Sequence, residues 1–147
     1  MTQARAFGAS QVMIMGEHNN RKLKIMIIED EEDILILYKD YLTNKGYSVV
    51  CSSLNANNII LDFDKNVPDI SLIDYKLPGG RSGVDAAIEI LTKYPLSLII
   101  FITAYEPVRK EILNNPFFKD KNVHVLIKPV RLIGIEEVML NLVNKTR

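Results

Sequence analysis

At 147 residues the chain has the size of one ordinary domain with room for a real core. Its 18 basic and 18 acidic residues cancel, so it lacks the basic footprint of a nucleic-acid binder and the cationic face of a membrane-seeking protein. Its apolar runs are too short to span a bilayer, no secretion signal opens it, and its one cysteine, Cys51, excludes an intrachain disulfide and suits a reducing cytoplasm.

Residues 1–21 show no sustained periodicity and read as a flexible extension; translation from Met15 would remove most of it. From Leu23 the pattern turns regular. Leu23 to Ile28 is an aliphatic run that fits a buried strand. Five acids follow, Glu29 to Asp33, then a helical repeat with Ile34, Leu35, Leu37, Tyr38, Tyr41 and Leu42 on one face, closed by Gly46. Tyr47 to Cys51 is a second short strand. Cys51 has no basic neighbour to activate it and takes a structural role. Asn55 to Asp62 reads as a weak, Asn-rich helix.

Ile70 to Ile73 is the third strand, ending on Asp74. Leu77 precedes Pro78 and is biased away from helix, and helical periodicity resumes only near Gly83. Asp74 therefore heads a loop and is not simply the cap of a helix. Helix three runs from about Val84 to Lys93, and Leu96 to Thr103 is the most apolar strand, expected at the centre of the sheet. A short helix from Val108 to Leu113 is interrupted at Asn115-Pro116. Val123 to Ile127, Lys128-Pro129 and a last helix from Leu132 to Asn144 complete the chain. This alternation predicts an α/β domain with a parallel sheet covered on both faces.

The strand ends carry polar groups that an aliphatic core does not need: Glu29 and Asp30, then Asp74, Thr103 and Lys128. In a doubly wound sheet these ends share one edge. Two unit charges about 4 Å apart repel by roughly 4 kcal/mol at an effective dielectric near 20. A lysine offsets part of that, and a hard cation offsets more. Magnesium keeps several waters and accepts one or two carboxylates. Asp30 and Asp74 suit direct ligation, the Lys76 backbone carbonyl adds a ligand by position, and Glu29 acts through water. Glu31, Glu32 and Asp33 read as acids serving a helix dipole.

Four motifs then make a resemblance plain: Ile-Ile-Glu-Asp-Glu at 27–31, Asp-Tyr-Lys-Leu-Pro-Gly at 74–79, Phe-Ile-Thr-Ala at 101–104 and Ile-Lys-Pro at 127–129. From Leu23 onward the chain resembles a response-regulator receiver domain of two-component signalling. The resemblance implies a flavodoxin-like fold, five parallel strands in the order 2-1-3-4-5 with five helices, over residues 22–147. It implies Asp74 as phosphoacceptor from a sensor histidine kinase or phosphotransfer protein. Glu29, Asp30, Asp74 and the Lys76 carbonyl would hold magnesium or manganese. Lys128 would pair with the incoming phosphoryl oxygens, and Thr103 would hydrogen-bond the attached group. A cytoplasmic signalling domain is implied, not an enzyme in the usual sense, with an unidentified downstream protein and scope for a homodimer through the face from the fourth to the fifth helix. The last helix ends with the chain, which favours a stand-alone receiver over a DNA-binding regulator.

This sequence departs from that family in places. Val125 stands three residues before Lys128, where an aromatic switch residue is usual. One extra residue lies between Pro78 and Gly83. The stretch from Thr103 to Lys128, with Asn114 to Phe118, is long, and Phe117 and Phe118 read as buried packing in preference to a contact patch. Lys76 sits where the family tunes dephosphorylation. Among other classes, a phosphatase would show Asp-x-Asp after the first strand, whereas Glu29 and Asp30 are adjacent and expected to point apart. A nucleotide or flavin binder would show a Gly-rich turn there. A receiver-like scaffold that is never phosphorylated would not need the acid pair, Thr103 and Lys128.

Overall fold

The computed structural model describes residues 21–145. In chain order the elements are β1 (Lys24–Ile28), α1 (Glu32–Asn44), β2 (Ser48–Ser53), α2 (Ile59–Asn66), β3 (Ile70–Asp74), α3 (Gly83–Lys93), β4 (Leu98–Thr103), α4 (Pro107–Leu113), a 3-10 turn (Pro116–Phe118), β5 (Asn122–Ile127) and α5 (Leu132–Lys145). The strands are all parallel, in the order β2-β1-β3-β4-β5. The proposed extension, residues 1–21, lies outside the described residues except for Arg21. That guanidinium grips Asp69 through hydrogen bonds of 2.8 and 2.7 Å, just before β3 begins.

Alternation along the strands builds two cores. On one face Ile25, Ile27, Leu72, Ile100 and Ile102 pack under α1 and α5, meeting Leu35, Leu42, Ile135 and Met139. On the other, Met26, Ile28, Ile73, Ile99 and Phe101 pack under α2, α3 and α4, meeting Phe63, Ile90, Val108 and Ile112. Each fully buried aliphatic contributes about 1.5–3 kcal/mol, which is what lets the sheet hold charge at its edge. A buried acid on α5, Glu136, accepts hydrogen bonds from the Tyr47 hydroxyl (2.9 Å) and the Tyr41 hydroxyl (3.2 Å). These bonds tie α1 and the entry to β2 against α5. Burial, then the Glu136 charge, pushes the Tyr47 hydroxyl pKa well up.

Several boundaries differ from the sequence expectation, each for a visible reason. The Asn-rich helix starts at Ile59, not Asn55, and runs on to Asn66. Residues 55–58 instead form a turn, in which Asn55 Oδ1 accepts the Asn57 N–H at 2.9 Å and Ser53 Oγ donates to the Asn55 carbonyl at 2.8 Å. Side chains that bond their own backbone compete with helix in this way. Tyr47 belongs to the helix exit, its N–H donating to the Leu42 carbonyl, so β2 begins at Ser48. Pairing with Ile27 and Ile28 carries β2 through the polar Ser52 and Ser53. Cys51 therefore lies inside β2; burial, then Asp62, pushes its thiol up to about 11. Leu96 is 84% exposed, and β4 starts only at Leu98, one place out from the centre that β3 holds. Phe118 is buried edge-on against Phe101, with ring centroids 5.9 Å apart, and Phe117 is half-buried against it.

Within β3, Ser71 is fully buried and its hydroxyl has no hydrogen-bond partner among the described residues. A buried unsatisfied hydroxyl costs about 1–3 kcal/mol, more than the small void its removal leaves. Ser71→Ala should therefore raise stability by about 1 kcal/mol, read as a higher urea midpoint at unchanged slope. A lower midpoint would show that this hydroxyl does find a partner.

Candidate functional site

Each polar strand end is placed by the register of the sheet. Ile28 lies opposite Ile73, and Asp74 opposite Ile102, so Glu29, Asp74 and Thr103 leave neighbouring strands at one edge. The ends of β4 and β5 are locked by the Lys128 N–H, which donates to the Thr103 carbonyl at 2.7 Å. A cis Lys128–Pro129 peptide then leads toward α5.

At this edge Glu29 (1% exposed) and Asp74 (7% exposed) are buried acids. Lys128 Nζ stands 3.0 Å from Glu29 Oε1 and 3.5 Å from Asp74 Oδ2, so the single cation leans toward Glu29. Burial pulls the lysine downward, but its bond to Glu29 and the charge of Asp74 outweigh that and hold it above its usual value. Asp74 fares the opposite way. Burial, then the Glu29 charge, raises it to about 7 despite Lys128, and its contacts with Glu29 and Asp30 add to the rise.

Glu29, Asp30 and Glu31 each bring a carboxylate oxygen within 4.8 Å of the others. One expectation needs correction here. Adjacent Glu29 and Asp30 do not diverge, because β1 ends at Ile28 and the chain turns at Asp30, freeing their side chains from strand alternation. Glu31 stands at the N-cap of α1 without a side-chain cap bond, at the helix N-terminus as the dipole reading expects, and its carboxylate also lies within the cluster. Glu32 and Asp33 do lie in the first turn of α1, as expected.

The loop after Asp74 is shaped from its far end. Ser82 caps α3 in a capping box with Asp85, its Oγ accepting the Asp85 N–H (3.1 Å) and its own N–H donating to Asp85 Oδ2 (3.0 Å). Gly83 N–H then donates to the Tyr75 carbonyl at 2.7 Å. A Cβ on Gly83 would stand 2.1 Å from the Asp74 carbonyl oxygen, so only glycine permits this approach. The Lys76 carbonyl accepts no hydrogen bond from any described residue. An open cleft of about 480 Å³ runs past Asp30, Lys76, Leu77, Arg81 and Asp85. Clustered carboxylates, a free carbonyl and room for water suit a small hard cation such as magnesium.

Thr103 is 2% exposed, and its Oγ1 accepts the Tyr105 N–H at 3.1 Å. Glu29, Asp30, Asp74 and Lys128 are thus brought into one charged group, with Thr103 on the neighbouring strand end and the Lys76 carbonyl in the loop. Sequence reasoning missed Tyr38, a buried α1 residue lining the same small space as Glu29 and Asp74. Its hydroxyl is raised by burial and by those acids, against Lys128. Its helical spacing marked it only as core. The role of Gly83 was equally invisible, since a close approach leaves no local signal.

Two outcomes follow. Gly83→Ala should lower stability by more than about 2 kcal/mol, because backbone must move to admit the methyl; equal denaturation midpoints would contradict it. The second concerns pH in chelator. A folded-state pKa near 7 lies above the unfolded value of about 3.9, so between them the folded state holds the extra proton. Metal-free stability at this site therefore increases as pH falls from 8 through 7 toward 4. Asp74→Asn removes the charge and should exceed wild type at pH 8 by on the order of 1–2 kcal/mol, allowing for screening at the pocket mouth. That margin should shrink steadily from pH 7 to 4. No margin at pH 8 would mean that Lys128 alone neutralises the pocket.

Comparison with known proteins agrees with this geometry. The family described as response regulator receiver domain matches residues 25–137. A response regulator receiver domain protein from Clostridium thermocellum is similar at 27% identity and TM-score 0.73, over 84% of this chain and 96% of that one. A CheY-like receiver domain protein from Methanospirillum hungatei shares the fold, at 22% identity and TM-score 0.72, over 85% and 98%. The response regulator TrrA of Thermotoga maritima, solved with Mg²⁺ and BeF, is similar at 25% identity and TM-score 0.69, over 82% and 98%. The chain belongs to the response regulator receiver domains of two-component signalling.

Proposed function

We propose that this domain accepts a phosphoryl group onto Asp74 from the phosphohistidine of a sensor histidine kinase or phosphotransfer protein. The reaction depends on magnesium or manganese and alters binding to a downstream protein. One observation carries the reading: Asp74 is a buried carboxylate at the sheet edge, set among Glu29 and Asp30 with Lys128 Nζ at 3.5 Å. A structural acid would be fully paired, whereas this one shares its lysine with a nearer competitor, Glu29.

In the transfer, an Asp74 carboxylate oxygen forms a bond to phosphorus as the phosphorus–nitrogen bond breaks. The bonding pair leaves with the imidazole, which departs neutral when its other ring nitrogen carries a proton. The protein contributes positioning and electrostatics, the usual means in phosphoryl transfer. Asp30, Asp74 and the Lys76 carbonyl would hold a divalent cation, with Glu29 through water, and the cation would supply further charge neutralisation. Lys128 is already at hydrogen-bonding range of the pocket and pairs with a phosphoryl oxygen. Thr103 donates its hydroxyl to the attached group. Modification takes Asp74 from one negative charge to nearly two and adds acceptor oxygens, which gives Thr103 and Lys128 a new partner. The domain assists its own phosphorylation and dephosphorylation and works as a switch, not as an enzyme with a separate substrate. No helix among the described residues is long and apolar enough to cross a membrane, in keeping with action in the cytoplasm.

Intact mass after incubation with acetyl phosphate is the direct test. With magnesium the wild type should gain one phosphoryl group, and in chelator or as Asp74→Asn it should gain none. Lys128→Ala should slow the gain by about 10²-fold, as loss of an electrostatic contact in a transfer site does. A phosphoryl group that persists in Asp74→Asn would place the acceptor elsewhere. No gain from acetyl phosphate or from a phosphorylated histidine kinase would end the phosphoacceptor reading.

A further inference from the structure

The Asn-rich turn between β2 and α2 has no part in the chemistry above, yet it follows Ser53, which bonds Glu29, and adjoins Gly79 in the loop after β3. From Lys76 to Gly80 the loop after β3 makes no backbone hydrogen bond with any described residue. Gly79 and Gly80 both have positive φ, +89° and +80°, where side-chain-bearing residues are strained. Two features bear on the middle of this loop. Leu77 is half-buried against the core beneath α2 and α3. Gly79 lies beside the Asn57 side chain: a Cβ added there would be 3.0 Å from Asn57 Oδ1.

Asn57 is itself held. Its N–H donates to Asn55 Oδ1 at 2.9 Å. Asn55 is fastened to Ser53, whose Oγ donates to the Asn55 carbonyl (2.8 Å) and accepts the Asn55 N–H (3.3 Å). The Ser53 carbonyl in turn accepts the Glu29 N–H at 3.0 Å. Hydrogen bonds thus run from the acid turn at Glu29 through Ser53 and Asn55 to Asn57, whose side chain lies beside Gly79 in the loop that carries Lys76.

We infer that Asn55 and Asn57 are positioning residues, a brace that fixes the distance between the acid turn and the Lys76 loop and so sets the affinity for the divalent cation. The inference rests on the proposed cation site. Neither side chain touches the cation; each acts through the loop. The Gly83 N–H bond to the Tyr75 carbonyl and the packing of Leu77 hold the two sides of Lys76, and the Asn57 side chain is the neighbour beside Gly79 further along the loop. A site whose ligands are held in place binds more tightly than one that must order them on binding.

Magnesium titration followed by amide chemical shifts tests this on wild type, Asn57→Ala, Asn55→Ala and Asn55→Asp. Both alanine variants should bind magnesium three- to ten-fold more weakly with little change in Tm. Asn55→Asp keeps the acceptor for the Asn57 N–H and should recover wild-type affinity. In metal-free protein, the ¹⁵N heteronuclear NOE of Gly79 and Gly80 should fall in the alanine variants. Affinities within two-fold of wild type, or unchanged Gly79 and Gly80 NOEs, would overturn the brace. A wild type that binds no magnesium while the NOEs still fall would overturn the cation site and its affinity, leaving only a loop restraint. Equal loss in Asn55→Asp would assign the effect to something other than the turn.

Discussion

The structure turns on one electrostatic imbalance: several carboxylates at the buried edge of a sheet and, among the described residues, one lysine paired with them. Glu29 and Asp74 are nearly inaccessible, and Lys128 stands closer to the first than to the second. A lysine cannot neutralise two acids at once, and burial of Glu29 and Asp74 limits how far water screens them. Repulsion of roughly 4 kcal/mol per close pair at an effective dielectric near 20 is comparable to a sizeable part of a domain's net stability. The imbalance survives because the interior below it, Ser71 and Glu136 apart, is apolar. Every residue of β3 and β4 is buried, and the cores on both faces hold the strand ends in register whatever the acids prefer. The fold thus stores a demand for positive charge at one point, and that demand is what the proposed cation and phosphoryl chemistry would meet.

Much of this was legible in the sequence, for a definable reason. A strand buried on both faces must be a continuous aliphatic run, so β1, β3 and β4 announce themselves, and a polar residue at the end of such a run has no packing explanation. Glu29, Asp74 and Thr103 are conspicuous on those grounds alone. The edge strand β2 was harder, since each of its residues is only half-buried and Ser52 and Ser53 look like loop. The Asn-rich stretch failed for a different reason. Helix periodicity through Ile59 and Phe63 is genuine, but the asparagines ahead of it bond their own backbone, and competition of that kind is decided by side-chain geometry that composition does not carry.

What the sequence could not carry is contact through space between segments. Gly83 reads as an ordinary helix start until its Cα is found against the Asp74 carbonyl. Tyr38 reads as a core position of α1, and Glu136 as one more acid on an amphipathic helix, until its two tyrosine partners are placed. Glu29 and Asp30 show the same limit at short range. Adjacent residues diverge in a strand, but these two lie just past its end, where the alternation no longer binds them. The sequence places the strand end at Ile28, as the structure does; what fails is carrying strand alternation past that end.

Val125 bears on how such a site communicates. It is 3% exposed, packed in the core that holds Phe101, Phe118 and the α4 residues Val108 and Ile112. A small branched side chain so enclosed has no outward rotamer to swing into and no hydroxyl to offer, so a signal at Asp74 cannot leave by rotation of this residue. The backbone offers another route. Thr103 Oγ1 accepts the Tyr105 N–H while the Thr103 carbonyl accepts the Lys128 N–H. A hydroxyl has one proton and two lone pairs, so Thr103 can donate to a new acceptor near Asp74 without giving up Tyr105. Movement of Thr103 toward that acceptor would draw on Tyr105 directly, and Tyr105 is 53% exposed at the entrance to α4. The loop between β4 and α4, in place of a buried aromatic, would then link the charged pocket to the surface.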